Sequence, residues 1–251
     1  MGKIYAGVNG NAEEIVKIYV GKNAGKARRI RKVYAGMNGV AELIWEGGIL
    51  PSTYQQVEYI ESSGTQYIDT GVPAKVTNDA GLVVRLDMEF VTVPSNGVIF
   101  GVRNTTGNTR ISCGYYSGKW SLGYGNYYTG GTAATAGTKY LVYMMYTIGS
   151  QRVIVSGTDM VTRTDSTERD YSGKTFYIFR CNAASSSNAN PTSMRLYYCH
   201  IIQNGRLRQF YPCYRRSDHA VGLYDMENGV FYGNAGTGAF TAGPDYVGEL
   251  P

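Results

Sequence analysis

The stretch RLDMEF, Arg85 to Phe90, carries the kind of acid pair that hydrolysis of a glycosidic bond employs. In an extended strand alternate side chains fall on opposite faces, so Arg85, Asp87 and Glu89 share one face and Leu86, Met88 and Phe90 the other. Two neighbouring carboxylates could act as acid and base across a sugar linkage. The same alternation also marks any strand that is half wet and half buried. Arg85 separates the two readings. A guanidinium beside a carboxylate favours its ionised form, whereas a general acid must hold its proton. The stretch therefore reads as an amphipathic strand with a charge-balanced polar face, not as a hydrolytic centre.

Other groups point to binding rather than catalysis. The segment CGYYSGKWSLGYGNYYTGG, Cys113 to Gly131, sets Tyr115, Tyr116, Trp120, Tyr124, Tyr127 and Tyr128 among glycines and polar residues. Flat aromatic faces beside hydrogen-bonding groups suit sugar rings, which makes these six the candidate ligand-binding side chains. Alternation along the segment would still turn some of them into the core. His200 and His219 are the chain's two histidines, and both read as packed or solvated. Asp69, Asp165 and Asp170 could supply oxygen ligands to calcium at a loop rim, but no spacing rule joins them; no metal site and no cofactor is expected. Cys113, Cys181, Cys199 and Cys213 lack any C-x-x-C spacing and read as free thiols in buried strands. The glycine-rich GTGAFTAG leads from strand to strand, without the helix that a phosphate cradle needs. No nucleophile elbow or zinc spacing appears.

Composition dictates the elements that must carry these groups. With 33 Gly, 23 Tyr and 17% charged residues, the chain reads as many turns joining aromatic-rich strands. From residue 54 onward, runs such as YQQVEYIE, LVVRLDMEFVTV, KYLVYMMYTI, MRLYYCHII and RLRQFYPCY alternate with Gly, Asn and Ser turns, as in a two-sheet sandwich or jelly roll. Asn182–Ser193 reads as a polar rim loop, and Asn228-Gly229 as a hairpin turn. The first 45 residues repeat: KIYAGVNGNAEEIV, KIYVGKNAGKARRIR and KVYAGMNGVAELIW are units of 14, 15 and 14 residues. Each is a predicted hairpin turning at Asn9-Gly10, Asn23-Ala24-Gly25 or Asn38-Gly39, and together they predict a small meander or prism. EGGILPST, Glu46 to Thr53, marks the boundary between a repeat module at 1–47 and a sandwich at 48–251.

Of the formal charge of +5, residues 1–48 hold eight Lys/Arg against four Asp/Glu. Lys26, Arg28, Arg29, Arg31 and Lys32 form a basic cluster that could meet a partner. A module this small buries little apolar area, so self-association or docking is expected to complete its core. The start carries no apolar leader and no 18-residue apolar run occurs, which predicts synthesis in a cytosol and no membrane insertion.

LPSTYQQVEYIESSGTQYIDTGV (Leu50–Val72), FYPCYRRSDHAVGLYDMENGVFYGNAGTGAFTAGP (Phe210–Pro244) and the Lys-Tyr-Gly repeats resemble phage and prophage structural proteins of gut bacteria, chiefly Firmicutes. The resemblance implies a concanavalin A-like, laminin G-like jelly roll behind short N-terminal repeats. It further implies a non-enzymatic virion component of tail, baseplate, fibre or capsid decoration, made in the host cytoplasm. Its partners would be other virion proteins and host-surface polysaccharide, and its state a homo-oligomer with a trimer favoured. Sandwiches of this type include laminarinase-like hydrolases whose strand reads Glu-x-Asp-x-Glu. Asp87 and Glu89 match the second and third acids, and Arg85 stands where the nucleophile would be.

Overall fold

The computed structural model describes residues 5–8, 11–14, 18–22, 26–30, 32–37, 40–46, 50–104, 109–183 and 189–246. The chain forms two compact units, Met1–Gln56 and Val57–Pro251, where the composition placed the boundary at 47/48. Among the described residues every regular element is a strand.

In the first unit the repeats form three antiparallel hairpins: β1 (Tyr5–Val8) with β2 (Asn11–Glu14), β3 (Ile18–Lys22) with β4 (Lys26–Ile30), and β5 (Lys32–Met37) with β6 (Val40–Glu46). Equivalent repeat positions face each other in all three, as Gly7↔Ala12, Gly21↔Ala27 and Gly36↔Ala41. Each hairpin is its own two-stranded sheet. Their Asn turns lie outside the described residues. Lys26, Arg28 and Arg29 fall on β4 and Lys32 opens β5, while Arg31 lies outside the described residues. A short strand, β7 (Tyr54–Gln56), ends the unit.

The second unit contains β8 (Ile60–Ser62), β9 (Ile68–Val76), β10 (Leu82–Phe90), β11 (Asn96–Arg103), β12 (Arg110–Tyr116), β13 (Lys119–Gly130), β14 (Lys139–Thr147) and β15 (Ser150–Val155). It continues with β16 (Thr158–Arg163), β17 (Arg169–Ile178), β18 (Met194–Gln203), β19 (Arg206–Arg215), β20 (Val221–Asp225), β21 (Val230–Gly233) and β22 (Thr241–Ala242). One antiparallel sheet runs β16-β15-β14-β10-β18-β19-β20-β21, and β8 pairs with the start of β18. The last strand, β22, lies against β8, the first strand of the unit, so the two ends of the sandwich close on each other. The other sheet runs β13-β12-β11-β17-β9.

Alternation decides which residues fill the space between the sheets. On β10, Leu82, Val84, Leu86, Met88 and Phe90 are all fully buried. They pack with inward side chains of β18 and, from the opposite sheet, with residues such as Phe100, Ile111, Leu122 and Phe176 in one continuous apolar cluster. Asp225 is also buried at this level, bound by the Arg208 guanidinium, whose Nη2 donates to Tyr232 Oη at 2.8 Å. Pairing of this kind is what lets a carboxylate remain inside a protein.

Candidate functional site

The outer face of the β10 sheet, turned away from the core, collects the polar groups. Cross-strand register arranges them in rows, because directly opposed residues on one face are neighbours. Arg85 lies between Tyr143 of β14 and His200 of β18, and Asp87 between Leu141 and Tyr198. The adjoining row is apolar: Val83 lies between Met145 and Ile202, and Ile202 faces Leu207 of β19. Met145, Ile202 and Leu207 are 36%, 41% and 38% exposed.

A bulge completes this face. Asp87 pairs with Tyr198 but Met88 pairs with Leu196, so Tyr197 is an extra residue on β18. A bulge re-aims a side chain locally. Here it turns two consecutive tyrosines to the outer side of the sheet, Tyr197 half-buried and Tyr198 only 2% exposed. Tyr197 Oη donates to Glu89 Oε2 at 3.1 Å, and the Lys139 ammonium sits 3.9 Å above the Tyr197 ring. Tyr198 lies beneath the Arg85 guanidinium, 4.8 Å from ring centre to Cζ, with the Tyr143 ring at 6.0 Å. Such cation–π contacts hold a guanidinium flat over the rings.

Ion pairs tie down most of the remaining charges. Lys139 Nζ is 3.2 Å from Asp87 Oδ2, and Arg195 bridges Glu61 (2.7 Å) and Glu89 (3.0 Å). Two buried polar atoms in the middle of the face have no hydrogen-bond partner: Arg85 Nε and Asp87 Oδ1. An enclosed polar atom without a partner costs about 1–3 kcal/mol, so a donor and an acceptor left open side by side need an explanation. Burial raises the pKa of the Asp87 carboxyl against the opposing pull of Lys139 and Arg85. Burial also pushes Tyr198 up to about 12, so its hydroxyl stays protonated at neutral pH.

His200 lies between the Tyr198 and Tyr211 rings, its Nε2 3.3 Å from Tyr211 Oη. Burial, then the nearby Arg85 charge, depresses the imidazole below its ordinary 6.5. The unfolded chain therefore binds this proton first as pH falls. Stability from this group is complete above the ordinary value and is lost as pH drops from there toward the folded value. Urea unfolding midpoints measured from about pH 7.5 down to about pH 5 should fall, and His200→Gln should flatten that decline.

The aromatic segment nominated by composition divides in two. Trp120, Tyr124 and Tyr115 are 1%, 0% and 3% exposed and belong to the core. The ligand role read for these three is corrected by alternation along β12 and β13, which turns them inward. Trp120 packs against Phe90, Tyr115 and Tyr140 at centroid distances of 5.7, 5.8 and 5.3 Å. Tyr115 and Tyr124 spend their hydroxyls inside the fold, on Ala134 N (2.9 Å) and Thr167 O (2.6 Å). Tyr116 and Tyr127 are on the outer face of the other sheet, stacked at 5.3 Å, and the Arg110 guanidinium sits 3.7 Å from the Tyr127 ring centre. Tyr128 is half-buried beneath the Arg163 guanidinium.

The remaining candidates stay apart. Asp69 accepts from Gly71 N and Thr175 Oγ1, Asp165 from Thr167 N, and Asp170 from Ser172 N. Each is thus occupied within its own turn or strand pair. Among the described residues no three His, Cys, Asp or Glu side chains group in a way that could hold a metal. His219 stacks on Tyr214. All four cysteines are buried free thiols, and burial holds Cys113, Cys181 and Cys213 up at about 12.

Two antiparallel sheets packed face to face, with a polar aromatic outer face on one of them, define a concanavalin A-like jelly roll. Among solved structures the chain is similar to a candidate carbohydrate-binding protein from Bacteroides ovatus, with a TM-score of 0.53 and 13% identity. That match covers 75% of this chain and 60% of the other, so the chain spans less than two thirds of that protein's length. It is also similar, at 13% identity, to domains LG4-5 of the mouse laminin alpha1 chain (TM-score 0.42; 70% of this chain, 48% of that one). A third similarity is to the alginate lyase from Corynebacterium sp., at 13% identity (TM-score 0.31; 74% of this chain, 92% of that one). No protein-family model matches the chain, and no curated protein matches it in sequence.

Proposed function

We propose that the sandwich is a non-enzymatic carbohydrate-binding domain whose contact surface is the outer face of β10, β14 and β18. The observation that carries this reading is the unpaired, enclosed donor and acceptor at Arg85 Nε and Asp87 Oδ1, beside the Tyr143 ring and over the buried Tyr198 ring. Sugars present hydroxyls that both donate and accept, together with apolar C–H faces that lie on aromatic rings. Lys139, whose side chain is 51% exposed, caps Asp87 Oδ2 at 3.2 Å from the solvent side. Hydrolysis is disfavoured because Arg85 replaces the nucleophile and both Glu89 oxygens are engaged, one by Arg195 and one by Tyr197. Calorimetric titration of the full chain with soluble polysaccharides should give saturable binding without release of reducing ends. Release that disappears in Glu89→Gln would instead make the protein a hydrolase.

We further propose, from the resemblance of the two long stretches to phage structural proteins, that this domain is displayed on a virion and that the three hairpins fix it there. Light scattering should find the full chain oligomeric, with a trimer favoured, and a Val57–Pro251 fragment monomeric. A monomeric full chain would leave the hairpins to bind another protein, and a fragment as oligomeric as the full chain would remove their assembly role.

A further inference from the structure

Taking the assembly role proposed for the three hairpins as its basis, we infer that hairpin β3–β4 is a basic docking element for a second copy of this chain, which it meets at that copy's acidic hairpins β1–β2 and β5–β6.

The repeats are alike in register and opposite in charge. Beyond the shared pairs Gly7↔Ala12, Gly21↔Ala27 and Gly36↔Ala41, the next position of the return strand is Glu13, Arg28 or Glu42, across from Ala6, Val20 or Ala35. One step further stand Glu14, Arg29 and Leu43, across from Tyr5, Tyr19 and Tyr34. The residues across the ladder keep their type from repeat to repeat, and the sign of the charge does not. Successive strand residues lie on opposite faces, so β1–β2 carries acid on both faces and β3–β4 carries base on both. Lys22 and Lys26 add to the basic hairpin and are paired with each other. Like charges directly opposed destabilise a ribbon, which leaves an excess of positive charge to be met from outside it. The other two return strands hold no Lys or Arg: β2 carries Glu13 and Glu14, and β6 carries Glu42 and Glu46.

Because each hairpin is its own two-stranded sheet, β2, β4 and β6 are all edge strands. A lone ribbon of two strands is marginal in water, and its open edges invite pairing. Within one chain the order of strands works against the charges. Laid edge to edge in sequence, β3 would separate β2 from β4 and β5 would separate β4 from β6. That is two strand spacings, about 9–10 Å, and too far for an ion pair. A second copy is free of that order and can lay its β2 or β6 along β4. The order of signs also restricts the symmetry. Two copies matched hairpin for hairpin, or antiparallel about a two-fold axis at the middle hairpin, would set β3–β4 against itself, and like charges oppose that. What remains is a staggered contact between different hairpins, the heterologous kind that closes into rings.

Light scattering on full-length variants tests the inference. Lys26→Glu/Arg28→Glu/Arg29→Glu makes all three return strands acidic, and Glu13→Lys/Glu14→Lys/Glu42→Lys leaves only β6 with an acid. Each variant alone should lose the wild-type mass and become a monomer, and an equal mixture should give complexes that contain both proteins. A chain with all six changes, which inverts the order of signs, should assemble like wild type. Wild-type complexes should dissociate in 1 M salt, where the screening length is about 3 Å. A triple variant that keeps the wild-type mass by itself overturns the inference and leaves assembly through the hairpins standing on other contacts. Triple variants that stay monomeric when mixed, or a six-fold variant that fails to assemble, overturn it as well, since the charges then do not join one copy to another. A wild-type chain that is monomeric removes both the inference and the self-assembly reading beneath it.

Discussion

Trp120→Ala is expected to lower the unfolding free energy of the sandwich by about 3–5 kcal/mol, the range for emptying a large aromatic from a packed core. Trp120 is 1% exposed and touches rings from three other elements, Phe90 on β10, Tyr115 on β12 and Tyr140 on β14. It bridges the two sheets, so neighbours cannot collapse into the space without moving a strand. The melting temperature should fall on the order of 10 °C for a domain of this size. Tyr116→Ala, on the opposite arm of the same hairpin but 39% exposed, is the control. Surface changes of that kind stay within about 0.5 kcal/mol. Urea unfolding of both variants decides the matter: a Trp120→Ala protein with wild-type stability would place this indole outside the core and return it to the list of ligand contacts.

The double change Arg85→Leu with Asp87→Leu should have the opposite profile. Each wild-type side chain carries an enclosed polar atom without a partner, and removing both at once takes away that cost. Replacing a buried charged pair by apolar side chains of similar volume is often neutral or stabilising. The fold should therefore be as stable as wild type or more so. Lost cation–π contact over Tyr198 works against this gain by about 1 kcal/mol, and Lys139 is exposed enough to remain solvated. Binding behaves differently: two hydrogen bonds to charged groups disappear, each of about 1.5–3 kcal/mol, which is a hundredfold loss or more. Asp87→Asn, which keeps the shape and one acceptor, should lose less. Stability by urea and affinity by calorimetry must therefore move apart. A double variant that is strongly destabilised would make Arg85 and Asp87 parts of the scaffold.

Much of this arrangement is local and can be read residue by residue. The two faces of RLDMEF follow from period-two alternation, and the core face Leu86, Met88 and Phe90 is buried as that pattern requires. Asn228-Gly229 turns between β20 and β21 with Gly229 at φ +68°, a conformation that favours glycine. The repeats announce their own hairpins, because each carries its turn residues within reach of both strands. Aromatic composition was less informative: it marked Cys113–Gly131 as a recognition surface, yet alternation sends Tyr115, Trp120 and Tyr124 inward.

One signal of the site was present and easy to miss. In MRLYYCHII the apolar phase set by Met194 and Leu196 slips by one residue before Cys199 and Ile201, and the slip falls on Tyr197-Tyr198. This is how a bulge looks in one dimension. By itself, then, the sequence determined the strands, the faces of β10 and the phase slip in β18, since each depends on neighbours a few residues away. Only the tertiary structure decided that Arg85 would lie over Tyr198 and beside Tyr143 and His200, and that its Nε and Asp87 Oδ1 would be left without partners. Those contacts depend on which strands flank β10 and in what register, and the flanking strands come from positions some 60 and 110 residues further along the chain. Long-range pairing is chosen by the packing of the whole sandwich, and no local pattern carries it.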